Sequence, residues 1–151
     1  MLARLLLVAG LCMSASPALA DAKVLVLGMR SIEGDDELAN ALTDQLRGAA
    51  RQVEGWAVSQ TAVSMAQMGL AHGCDEIDAA CLADISKGLQ VDRIIFGTIR
   101  RTSARADHSY AVMLSLFDGQ TGEIARQIDD TIAPDKTDPQ TLAGHAQRML
   151  G

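Results

Sequence analysis

Two cysteines stand seven positions apart in the stretch GCDEIDAACL (73–82), with acidic residues between them and His72 just before. Three chemistries use such a pair. A disulfide between Cys74 and Cys81 would close a ring of eight residues and stabilise the fold by about 2–2.5 kcal/mol if unfolded-state entropy dominates. A metal site would recruit His72, with Asp75 or Asp78 completing the shell, although structural zinc is normally held by two closely spaced ligand pairs. A redox pair would draw on a lowered thiol pKa for Cys81 near a helix start, but the spacing is not Cys-x-x-Cys and the neighbouring acids oppose a thiolate. The compartment decides most of the choice.

Other chemistry-bearing residues are scattered. His72 abuts a turn, His108 begins a strand and His145 lies on the last predicted helix; all three read as surface histidines. The sequence contains no Gly-x-Ser-x-Gly elbow and no phosphate-cradling glycine loop, so neither a catalytic residue nor a cofactor is expected. The acidic runs GDDE (34–37) and DEID (75–78) suit the first turns of helices, where the dipole favours carboxylates. Asp129-Asp130 lies at a strand end, where charge discourages sheet-to-sheet association. One basic cluster, RRTSAR (100–105), offers Arg100, Arg101 and Arg105 as candidate contacts to an acidic partner or to lipid headgroups, against the simpler reading of a solvated hairpin loop. Met65 and Met68 read as core packing, with an adaptable groove as the alternative.

The amino-terminal stretch supplies the compartment. Arg4, an apolar run over 5–13 and the small-x-small pattern Ala18-Leu19-Ala20 have the anatomy of a secretory signal peptide, with cleavage expected between Ala20 and Asp21. The run is short for an anchor crossing roughly 30 Å of hydrocarbon, and Leu11 before Cys12 lacks the small residue that lipid attachment requires. Removing 1–20 takes away Arg4 and no acid, moving the net charge from −6 to −7. A chain this acidic lacks the footprint that holds phosphate backbones, so nucleic acid is not an expected partner. Residues 21–151 then form one domain with a real core and no transmembrane segment. Cys74 and Cys81 become the remaining thiols, in a compartment where disulfides persist, and that favours the disulfide.

The elements that position these residues follow from patterning. KVLVLG (23–28) reads as a buried strand, and Asp35 or Asp36 can cap an amphipathic helix over 36–52 built on Leu38, Leu42, Leu46, Ala49 and Val53. A short strand over 56–59 and a helix over 61–71 follow. Asp78 then caps a helix over 79–89 whose buried stripe is Leu82, Ile85 and Leu89. The unbroken apolar run in DRIIFGTIRR (92–101) suits a central strand covered on both faces, with Arg100 and Arg101 pointing to opposite sides where the strand emerges. A hairpin around DGQTG (118–122) adds two strands, with Tyr110, Val112, Leu114 and Leu116 sharing a face. A helix over 140–150 ends the chain. Helical crossovers make the early strands parallel, and short turns make the last three antiparallel. The fold class is therefore α/β (mixed α+β): a single domain with one five-stranded mixed sheet and about four helices.

The segment 74–101 resembles the signature of small periplasmic domains related to the TolB amino-terminal domain, a family similar in fold to CsgG and LpoB and common among myxobacterial exported proteins. In that family a helix reading roughly C-x-A-x-I-x-x-x-L-G-A-D leads into a strand x-I-V-x-G-x-I. Cys81, Ala83, Ile85, Leu89 and Asp92 match the first part, Gly97 and Ile99 the second, while Gln90-Val91 stand where Gly-Ala is usual. With VLVLGMR and the leucine-spaced helix, the likeness spans about 23–131. It implies a non-catalytic binding or assembly module of the cell envelope. The chain is then expected in the Gram-negative periplasm, acting on an envelope protein partner, and the surfaces open to it are an exposed sheet edge or the groove beside the second helix. The alternatives are a small thiol-dependent or hydrolytic enzyme using Cys74, Cys81 or His72, and a self-associating structural subunit. Partner and oligomeric state are not written in the sequence.

Overall fold

A computed structural model describes residues 20–151. The chain runs β1 (Ala22–Val26), β2 (Arg30–Ser31), α1 (Asp36–Ala50), β3 (Trp56–Val58), α2 (Met65–His72), α3 (Ala79–Leu89), β4 (Arg93–Arg101), β5 (Tyr110–Asp118), β6 (Glu123–Ile132) and α4 (Pro139–Leu150). One sheet has the order β3-β1-β4-β5-β6, and the two-residue β2 pairs with the far end of β4. The β1–β3 and β1–β4 pairs are parallel, whereas β4–β5 and β5–β6 are antiparallel. The mixed topology is as expected. The sixth strand, β2, has no signal in the patterning, because two residues are too few to carry an alternation.

Both faces of the central strands are covered, which explains their unbroken apolar sequence. On one side Val24, Val26, Ile95, Ile99, Val112 and Leu114 pack against Leu42 and Leu46 of α1 and Leu142 and Met149 of α4. On the other, Leu25, Leu27, Ile94 and Phe117 pack against Met68 of α2 and Leu82 and Ile85 of α3. Met68 thus belongs to the core. Gly97 lies where β4 and β5 approach closely: a Cβ there would come within 2.2 Å of the Met113 carbonyl and 2.8 Å of the Met29 methyl.

Four local readings are corrected. The second helix begins at Met65, because Ser64 and Gln67 close a capping box that leaves 61–64 outside the helix. The first helix ends at Ala50, short of 52. Asp35 is the N-cap residue of α1 but makes no capping bond, since its carboxylate is turned to Arg101. Leu89 is 40 % exposed. It is the last residue of α3, beyond which Gln90 adopts a left-handed conformation, and the buried stripe continues through Ser86, whose hydroxyl donates to the Val91 carbonyl at 2.6 Å.

Candidate interaction site

Cys74 and Cys81 are joined in a disulfide with their Cα atoms 5.8 Å apart. The sequence folds this loop by three further local devices. Gly73 ends α2 in a left-handed conformation that its lack of a Cβ permits. Ile77 packs its methyl against Gly69, where any Cβ would collide at 2.4 Å. Asp78 accepts a hydrogen bond from the Cys81 amide at 2.9 Å, capping α3. With both sulfurs bonded to each other, neither is a thiolate ligand or nucleophile. His72 does not turn toward them as a third ligand but lays its ring against Gly88, where a Cβ would stand 2.5 Å from Cε1. Among the described residues no three His, Cys, Asp or Glu side chains form a metal-holding group.

The basic cluster is divided by the pleat. Arg101 lies opposite Tyr110 on the face covered by α1 and α4, and Arg100 opposite Ala111 on the other. Arg101 grips Asp35 with Nε and Nη2, the former at 2.8 Å, and its amide donates to Glu33 at 3.0 Å. The Arg101 guanidinium holds the Asp35 carboxyl below its usual range, and the carboxylate in turn raises the pKa of Arg101. Arg100 and Arg105 remain exposed. The loop carrying Arg105 is ordered by its own bonds: Thr102 and Ser109 pair, and His108 Nδ1 donates to the Arg105 carbonyl at 2.7 Å while its ring meets Tyr110 edge-on. A cavity of about 600 Å³ opens beside the Arg101–Asp35 pair, bounded by Asp36, Glu37, Tyr110 and Pro134 among others. Its parts come from three separated segments, so no local spacing announces it.

His145 is buried, at 8 % exposure, contrary to the surface reading. Helix α4 turns it onto the sheet, where Nδ1 lies 2.6 Å from Asp130 Oδ2, with Arg148 Nη2 3.7 Å from the same oxygen. A carboxylate only accepts, so the bond to Asp130 needs the proton on Nδ1; Arg148 Nη2, 2.7 Å from the same Nδ1, only donates and could bond to it only in the other tautomer. The second oxygen of Asp130 accepts the Thr131 amide at 2.8 Å. Asp130 is therefore half-buried at a junction between β6 and α4, and of the acidic pair Asp129 is the exposed member.

The remaining feature is the edge formed by β6. Gly119 donates to the Asp92 carbonyl at 2.8 Å and Thr102 to that of Ser109, so odd-numbered β5 residues turn their backbone groups toward β4 and even-numbered ones toward β6. Asp130 lies opposite Val112, Ile128 opposite Leu114 and Arg126 opposite Leu116. The backbones of these even β6 residues face β5, leaving those of Gln127, Asp129 and Thr131 along the open edge. The register shift between Leu116 and Phe117 makes Ala125 the extra residue of a bulge, which ends the regular edge on that side.

No protein-family model matches the sequence, and neither does any curated protein. Solved structures do match in shape. The PelC dodecamer from Paraburkholderia phytofirmans has a chain of TM-score 0.55 and 14 % identity, with 91 % of each chain covered. The C-terminal domain of LpoB from Escherichia coli gives 0.51 and 18 %, covering 80 % of this chain and 89 % of that one. TolB from Acinetobacter baumannii gives 0.53 and 12 %, covering 86 % of this chain and 27 % of TolB. At these identities the likeness is one of fold, and the fold is TolB- and LpoB-like. The CsgG part of the resemblance rests on the sequence motif alone.

Proposed function

We propose that the chain is an exported, non-catalytic binding or assembly module of the Gram-negative periplasm. Of the leader over residues 1–20, residues 1–19 lie outside the described residues; Ala20 and Asp21, the proposed cleavage pair, are exposed immediately before β1 begins at Ala22. Cleavage there would leave the first strand whole. Among the described residues no helix is long and apolar enough to cross a membrane. The fold shared with LpoB and TolB supports an envelope role, as does the CsgG-like motif.

The observation that carries the reading is the open edge of the ten-residue β6, whose outward backbone groups are a template for another strand. Arg100 and Arg105, free of the ion pair that occupies Arg101, are a second surface suited to an acidic partner. The test is a photo-crosslinking residue at Gln127 in the exporting cell, with Gln140 on α4 as control. Discrete adducts from Gln127, retained when Cys74 and Cys81 are both serine and the protein still folds, are expected. No adduct from Gln127, or a loss of function on replacing one cysteine in a folded protein, would contradict a non-catalytic module that binds by its edge.

A further inference from the structure

We propose that the β6 edge pairs antiparallel with the β6 edge of a second copy of this chain, across a two-fold axis at Ile128. The proposal rests on the reading of the chain as an assembly module and names the partner at that site. Three observations fix the register. Among the described residues Gln127 and Asp129 present both amide and carbonyl to the edge without a partner, whereas Thr131 has its amide bonded to Asp130 and offers only its carbonyl, and Ala125 lies in the bulge. An antiparallel pair centred on Ile128 sets Gln127 opposite Asp129 of the second copy, and Asp129 opposite its Gln127. Each pair then exchanges two hydrogen bonds.

The side chains agree with that centre. Arg126, Ile128 and Asp130 share the face that α4 partly covers, and all three fall at positions where facing side chains approach most closely. Arg126 meets Asp130 of the second copy, twice by symmetry, with Ile128 against Ile128 between the two ion pairs. Arg126 has no ion pair or hydrogen bond among the described residues, and His145 holds the Asp130 carboxylate on that same face at 2.6 Å. Centring one residue away at Asp129 would set Asp129 against Asp129; centring at Gln127 would set Arg126 against Ile128. The acidic pair that discourages edge association in general thus excludes the wrong registers and supplies half of each ion pair in the right one. An isologous contact of this kind closes on itself and leaves no repeating edge.

The purified exported chain tests this. Sedimentation equilibrium should give a concentration-dependent dimer. Arg126→Asp should weaken it by about tenfold or more, since it puts like charges at two places in the interface. Ile128→Cys should oxidise rapidly to a covalent dimer, whereas Thr131→Cys, far from its own symmetry mate, should not. Far-UV circular dichroism on each variant keeps a folding defect separate from an interface defect. A folded wild-type chain that stays monomeric throughout the micromolar range, or Thr131→Cys crosslinking as fast as Ile128→Cys, overturns the self-pairing. A monomeric chain leaves the envelope-binding reading standing, and the mass of the Gln127 adduct in the cell, twice the chain or not, separates a second copy from another envelope protein at this edge.

Discussion

Asp35 stands where a helix cap is expected, and Arg101 takes its carboxylate instead. Because the partner lowers the folded-state pKa of Asp35, the pair contributes stability above the carboxyl's ordinary 3.8 and loses it as pH falls through the folded value. Asp35→Asn is therefore expected to be less stable than the native chain at neutral pH, with the gap narrowing below about pH 4; urea midpoints across pH measure this. At the cysteines, replacing both by serine removes a ring of eight residues and should lower stability by about 2–2.5 kcal/mol, with reductant having the same effect on the native chain. The cysteine pair is legible in the sequence because compartment and even count bear on it directly. The Asp35–Arg101 pair is not, since the two are 66 residues apart and only the β4 register brings them together. His145 escapes for a related reason: nothing local says that its face of α4 is turned to Asp130.

Among the elements, β4 is the one most strongly marked in the sequence and the one on which most of the molecule depends. It pairs with β1, β2 and β5, and its apolar run is buried from both sides. Gly97 within it is part of the family-like motif, and the structure supplies a physical reason in its close approach to the Met113 carbonyl. Gly97→Ala should cost about 1–3 kcal/mol through overpacking, read as a fall in the unfolding midpoint. Asp78→Ala should cost about 1 kcal/mol by uncapping α3, even with the disulfide intact. Composition alone starts α2 four residues early, because 61–71 is helix-compatible throughout. Its boundary is set by the Ser64–Gln67 capping box, a signature present in the sequence but outweighed by that composition.

At the scale of the whole molecule, patterning is enough to anticipate the sheet in outline, with parallel strands joined by helices and antiparallel strands joined by short turns. What patterning does not carry is that the ten-residue β6 stands at one end of the sheet with regular backbone groups facing outward. That follows from its place in the order β3-β1-β4-β5-β6, and from the bulge and the Thr131 bond that leave Gln127 and Asp129 with both amide and carbonyl on that edge. An exported, disulfide-tied module that assembles through that edge has a distinctive mass. The most direct single measurement is therefore the intact mass of the exported protein, native and denatured, with and without reductant. The expected result is a chain starting at Asp21, two hydrogens lighter than its reduced form, and a native mass of twice the chain. A chain that keeps residues 1–20, carries free thiols or holds extra native mass matching a metal would contradict it, and would return attention to the stretch from His72 to Cys81.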